Sequence, residues 1–203
     1  MPKIKQSPKL PAEKRRQQLL RSARRLFMKK GVRTTSTDEI AHEAGLTKGA
    51  LYFHFKNKED ILFELVRRMH EESLAAVATM PKRKASPADL LRALLDAKPE
   101  AGTADFGSYL DFWVQAFRSA RIRRFHRTCI EEFNKAFAER IDRSYAPTQR
   151  DRRDLAMLII AMHDGLAVRK MLHDPDVDFS RQVRLFATLT RDRIDISNEK
   201  HTK

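Results

Sequence analysis

Residues 31 to 62, GVRTTSTDEIAHEAGLTKGALYFHFKNKEDIL, place three helix starts and a glycine-bearing tight turn in one short stretch, which leaves few folds open to the chain. Ser36 is followed three residues later by Glu39, a capping box in which the hydroxyl accepts from a free first-turn amide while the carboxylate reaches back to the amide of the cap. A helix therefore begins at Thr37. Its apolar face, Ile40, Ala41 and Ala44, is too short to stand alone, and Gly45 supplies the left-handed backbone that ends a helix at no steric cost. Thr47 then caps a second helix over 48–55, in which Leu51 and Phe55 share one face while Lys48, Tyr52 and His54 point elsewhere. Asn57, with Asp60 three positions on, caps a third and much longer helix. Two short helices joined by a glycine turn make a helix-turn-helix.

Among 203 residues there are only 6 glycines, and no apolar run keeps the period of two that a half-buried strand needs, so the chain reads as all-α. The formal charge is +14, which calls for an acidic partner. The first 60 residues hold 15 Lys and Arg against 6 Asp and Glu, and the remaining 143 hold 26 against 21, so the excess lies on the head. Duplex DNA is the partner this points to. The competing class is a basic helical protein that coats nucleic acid or an anionic membrane surface without effector control; it explains the charge but not the three capped helices. Cys129 is the single cysteine, which leaves no intramolecular disulfide, zinc set or redox pair and fits a reducing cytoplasm. No run approaches the roughly eighteen apolar residues of a spanning helix, and residues 1–10 lack the apolar stretch of a signal peptide. HEESL at 70–74 begins like a zinc-protease motif but has Leu74 where the second histidine belongs, and no phosphate loop or nucleophile elbow appears. No enzymatic activity, cofactor or metal is expected.

Residues 1–11, with three prolines and three lysines, read as a disordered basic arm. A helix over 13–30 buries Leu19, Leu20, Ala23, Leu26 and Phe27 and ends at Gly31, with Arg15, Arg16, Arg24 and Arg25 on its other face. The long helix over 58–80 buries Ile61, Leu62, Leu65 and Met69 at its start and connects head to body. Pro81 stops it, and a basic loop leads to a helix opened by Ser86 and Pro87. Helices over 103–119 and 121–143 hold 8 of the 16 aromatic residues, so the middle of the chain is where aromatic surface concentrates. The segment 155–172 is apolar almost all round and should be buried on more than one side. Its His163 and Asp164, as sequence neighbours, are expected on different helix faces. A last helix over 179–191 is followed by a frayed tail, 194–203.

Residues 12–65 resemble the N-terminal domain of the TetR family of bacterial transcriptional regulators: Gly31, Thr35, Ile40, Ala41, Ala44, Gly45, Lys48, Gly49, Leu51, Tyr52, His54, Phe55, Lys58 and Glu59 all fall where the family has its favoured residue types. Thr37, where an aliphatic residue is usual, and Asp38, where a basic one is frequent, depart from the pattern, and Asp38 argues against a phosphate contact from that helix. Residues 109–189 are similar, more loosely, to the C-terminal domain of BetI-type members, through FWVQAF at 112–117, DGLAVRKMLHDPDVD at 164–178 and the apolar final helix. The resemblance implies a helix-turn-helix DNA-binding domain at 12–57 and a helical effector-binding and dimerisation domain at 58–193. It also implies a homodimeric repressor that leaves a palindromic operator when a small molecule binds.

A recognition helix enters the major groove by its N-terminus, so Lys48 is placed to donate to a guanine edge, while Gly49 and Ala50 allow close approach and Ala50 can touch a thymine methyl. By resemblance Thr47, Tyr52, His54 and Lys58 bind phosphate oxygens. Thr35 either joins them or makes a buried hydrogen bond that braces the turn before the first short helix. The effector pocket implied for the body draws on Phe106, Tyr109, Trp113, Phe117, Phe133 and Met162, residues that equally suit plain core packing. Trp113 and Tyr109, one turn apart and with Asp105 or Asp111 nearby, can box a cationic ligand; a flat apolar ligand fits the same residues. The dimer interface implied for the last two long helices draws on Leu158, His163, Leu166, Val183, Phe186 and Leu189.

Overall fold

The computed structural model describes residues 11–80, 85–96 and 106–199, with side chains described for all of these except 106–110 and 192–199. The basic arm, Asp105 and the end of the tail lie outside these residues. The described residues form nine α-helices and no strand: α1 Ala12–Lys30, α2 Thr37–Glu43, α3 Lys48–His54, α4 Lys58–Thr79, α5 Pro87–Asp96, α6 Phe106–Arg118, α7 Ala120–Ala138, α8 Gln149–Met171 and α9 Phe179–Glu199. The chain divides into two compact units, Met1–Met69 with Glu100–His126, and His70–Pro99 with Arg127–Lys203. α4 and α7 each contribute residues to both units, and α6 belongs to the first.

In the head unit the capping signals act as the sequence predicts. Ser36 and Glu39 make both halves of the capping box, and Gly45 takes φ +63° after α2. Thr47 Oγ1 accepts from Ala50 N at 3.2 Å, and Asn57 Oδ1 accepts from Asp60 N at 2.9 Å to open α4. The core joins Leu19, Leu20, Ala23 and Phe27 of α1 with Ile40, Leu51, Phe55, Ile61 and Leu65. Phe112 and Ala116 of α6 and Ile122 of α7 are buried in the same cluster. Each large side chain so buried contributes roughly 1.5–3 kcal/mol, and together they supply the partners that three short helices lack among themselves.

The turn between α1 and α2 is held from two sides. Gly31 stands at φ +87°, where a Cβ would also meet Asp111 Oδ2 at 2.7 Å. Asp111 Oδ2 accepts from Val32 N at 2.7 Å, and Gln115 donates to its Oδ1 at 3.2 Å. Lys58 Nζ donates to the carbonyls of Val32 at 2.8 Å and Thr35 at 2.9 Å. Asp111 is thus committed to the backbone of the head, which takes it out of the cation box its spacing suggested. Nearby, Glu64 of α4 is nearly buried and receives Arg16 Nη1 at 2.8 Å and Arg67 Nη2 at 2.6 Å. Burial alone would raise its pKa, but the hydrogen bonds from Arg67 and Arg16 prevail and hold it down to about 2.

In the second unit, Leu90 and Leu91 of α5 pack with Val77, Phe137, Ile141, Ala156, Ile159 and Val183. Ser86 Oγ accepts from Asp89 N at 3.1 Å, which caps α5 ahead of Pro87. Arg140 is buried and donates from Nε to Val77 O at 3.2 Å, and an isolated parallel bridge pairs Ala85 with Ile141. A second capping box, Thr148 with Asp151, starts α8 six residues ahead of the apolar stretch at 155, because an aspartate at the third helical position closes the box as a glutamate does. The last helix also runs further than expected, to Glu199 in place of a tail from residue 194. His163 and Asp164 do not part: His163 Nδ1 lies 2.9 Å from Asp164 Oδ1, since side chains one residue apart can swing toward each other when one of them is exposed.

Candidate nucleic-acid interface

The candidate interface is built on α3, which Leu51 and Phe55 anchor in the head core. What remains of the helix faces outward. Lys48 and Gly49 are exposed, Ala50 is half-buried, and Tyr52 is 45% exposed. A Cβ at Gly49 would meet no atom of the head closer than Thr47 Oγ1 at 3.9 Å, so the fold itself does not require glycine there. The absence of a side chain at that point instead leaves room for close approach from outside.

Two polar side chains of α3 are tied to α2. Lys48 Nζ pairs with Asp38 at 2.9 Å, which raises the lysine pKa through the hydrogen bond and the nearby charge. Tyr52 OH lies 3.2 Å from Thr37 Oγ1. His54 is held below its ordinary pKa, first by burial and then by Arg16 and Arg15, which favours the neutral ring near pH 7. Arg16 and Arg25 of α1 are engaged by Glu64 and Glu43. Lys30 engages Glu39, whose pKa falls to about 2 through that hydrogen bond and those from Ser36.

Thr35 and Lys58 turn inward. Thr35 is 1% exposed and donates to Gly31 O at 2.7 Å, which is the bracing role its position allowed. Lys58 spends its ammonium on the carbonyls of the α1–α2 turn. One outward residue escaped the sequence reading: Phe53 is 80% exposed on α3, its ring edge-on to His54 at 5.1 Å. The signal was present, since Leu51 and Phe55 already fill the inward face and the residue between Tyr52 and His54 has to point out.

The residues considered for an effector divide between the two units. Trp113 and Phe117 lie in the head unit, with the Trp113 ring tilted against Phe117 at 5.4 Å and 5.1 Å from the His126 ring. Phe133 and Met162 line the core of the other unit, with Phe133 stacked on Phe137 at 5.8 Å. The side chains of Phe106 and Tyr109 lie outside the described ones. Of the residues considered for a dimer interface, Leu158 is 58% and Leu189 60% exposed, while His163, Leu166 and Phe186 are half-buried. Val183 is turned into the core of its own unit. Met157 and Leu185, not among the residues expected at the interface, add to the exposed apolar side chains of α8 and α9.

Comparisons with known proteins agree with this geometry. The chain is 28% identical over 197 residues, 92% of its own length and 94% of the relative's, to the HTH-type transcriptional regulator TtgR of Pseudomonas putida. A solved member of the TetR family from Streptomyces coelicolor superposes with a TM-score of 0.65 at 22% identity, covering 86% of this chain and 97% of that one. A protein from Saccharomonospora viridis, solved in complex with choline, superposes with a TM-score of 0.65 at 20% identity over 90% of this chain and 96% of that one. Residues 19–65 match the bacterial regulatory proteins of the tetR family, and residues 83–195 match the BetI-type transcriptional repressor C-terminal domain. A braced helix-turn-helix on a helical body, matched along both parts, places this chain in the TetR family of DNA-binding transcriptional regulators.

Proposed function

We propose that the protein is a homodimeric repressor that binds a palindromic operator through α3 and leaves it when a small molecule binds the helical body. The observation that carries the reading is α3 itself, capped and anchored on one face while Lys48, Gly49, Ala50 and Tyr52 are presented on the other. Lys48 donates to a guanine edge, Gly49 and Ala50 allow the helix to sit close to the bases, and Thr47, Tyr52 and His54 hold phosphate oxygens. Thr35 and Lys58 assist indirectly, by fixing the turn that orients α2.

Dimerisation is supported by the exposed Met157, Leu158, Leu185 and Leu189 on α8 and α9, apolar side chains that a second copy would cover. Two copies then offer two recognition helices to half-sites about 34–36 Å apart. The effector is proposed to meet Trp113, Phe117 and His126, a cluster whose π-faces suit a flat or cationic molecule. It must bind the DNA-incompetent state more tightly, because equal affinity for both states shifts nothing. In this reading the protein acts in the cytoplasm, where the operator is.

The test is a selection from a randomised duplex pool with the full chain, followed by a ligand screen read by Trp113 fluorescence and duplex release. Enrichment of a palindrome whose binding a hit weakens is the expected result. Enrichment of no sequence, or release that persists unchanged in Trp113→Ala, would remove the DNA-reading or the effector part respectively.

A further inference from the structure

The first turn of α2 reaches across to the groove-facing side of α3. Asp38 holds Lys48 Nζ with both oxygens, at 2.9 Å and 3.0 Å, and the neighbouring Thr37 Oγ1 lies 3.2 Å from Tyr52 OH. Both members of the ion pair are well exposed, at 59% and 60%, so the pair adds little to the stability of the head. Its effect falls on whatever approaches from outside.

We propose that Asp38 is a specificity-determining residue, acting together with Lys48 to read a G·C base pair and to weaken binding to all other DNA. This rests on α3 being the helix that enters the groove. A lysine carries a point charge on a flexible four-carbon stem, and when unpaired it finds any phosphate within reach, which strengthens binding to every sequence alike. Asp38 changes that in two ways. Its carboxylate restricts where the ammonium sits, and its negative charge opposes a phosphate brought to the same place. A guanine edge meets no such opposition, because O6 and N7 are neutral acceptors and the ammonium has three N–H groups, of which the carboxylate engages at most two. The carboxylate in turn can only accept, and in the major groove the paired cytosine presents its N4 amino group as a donor. A lysine and an aspartate held 3 Å apart thus match the two halves of one G·C pair, and discrimination comes from a repulsive element as well as an attractive one. Thr37, by engaging Tyr52, fixes the same edge of α2 against α3 so that the carboxylate keeps its place.

The experiment uses the full chain, the duplex that the wild type enriches from a randomised pool, and a shuffled duplex of the same composition. Affinities are measured across a salt series for wild type, Asp38→Asn, Asp38→Glu, Lys48→Met and the Asp38→Asn/Lys48→Met double variant, each with its thermal unfolding midpoint. Asp38→Asn is expected to bind the shuffled duplex about 3- to 10-fold more tightly, with a slope against log salt steeper by about one, and to lose its preference at one G·C position. Asp38→Glu, which keeps the charge, retains most of the discrimination. In the Lys48→Met background at least half of the Asp38→Asn effect disappears. Equal changes on both duplexes, or an Asp38→Asn effect that persists in full without Lys48, would overturn the inference while leaving α3 as the DNA reader. A wild type that enriches no duplex would overturn both.

Discussion

The α2–α3 pair and the α8–α9 pair each turn one face to their own unit and one away from it, but the outer faces differ in kind. Outward from α2 and α3 stand cross-braced polar groups, Asp38 with Lys48 and Thr37 with Tyr52, on helices whose inward side chains Ile40 and Leu51 are fully buried. Outward from α8 and α9 stand Met157, Leu158, Leu185 and Leu189, each more than half exposed. The first face is complete in a single chain and waits for a charged polymer. The second leaves apolar area in water that only another apolar surface can cover.

The largest effect should come from spoiling the second face. Leu158→Glu with Leu189→Glu is expected to turn a dimer into monomer and to weaken operator binding at least about 100-fold, because each half-site then binds without the effective concentration its partner provides. Analytical ultracentrifugation beside a duplex titration checks this, and a double variant that stays dimeric would show that the exposed leucines are not the interface.

Next come the supports beneath the first face. Gly31→Ala forces a side chain into a left-handed backbone and onto Asp111, and Lys58→Met strips the carbonyls of Val32 and Thr35 of their donor. Each should destabilise the head by about 1–3 kcal/mol and weaken all duplexes alike, as chemical denaturation and a shuffled-duplex control would reveal. Lys48→Ala, by contrast, should cost about 1–3 kcal/mol at a single base pair with little change in stability. If Lys58→Met alone alters sequence preference, the division between supporting and reading residues is drawn in the wrong place.

The smallest effect is read by pH. Glu64 titrates near 2 in the folded head, below the ordinary carboxylate value, so the stability it contributes is present above about pH 4.5 and is lost as pH falls toward 2. Allowing for screening at the partly exposed Arg67, the loss should be on the order of 1–2 kcal/mol, and Glu64→Gln should flatten it. An acid titration of the variant that matches wild type would assign the acid sensitivity to other groups.

The contrast between the faces also explains what could be read from the sequence. The capping box at Ser36, the left-handed Gly45 and the anchors Leu51 and Phe55 are local, each fixed by residues within four or five positions, and caps and periodicity are enough to find them, whereas the equally local box at Thr148 is missed because the apolar run begins only at 155. The inward turn of Lys58 was not legible, because its acceptors lie 23 and 26 residues back and only the packed head brings them within 3 Å. The same holds for Asp111, which meets Val32 across 79 residues, and for α6, whose Phe112 and Ala116 belong to the head core although α5 comes between them and the rest of it. Spacing showed that these residues were aromatic or acidic at helical intervals; it carried no information about which helix would receive them.

The central claim is that α3 reads DNA sequence through its outward face. The most direct measurement is the ratio of affinities for the enriched and shuffled duplexes, taken for wild type and Lys48→Ala at one fixed salt concentration. The account predicts that wild type prefers the enriched duplex by about 10³-fold or more and that Lys48→Ala reduces this preference about 10-fold or more. Equal affinity of the wild type for both duplexes, or a preference untouched by Lys48→Ala, would contradict it.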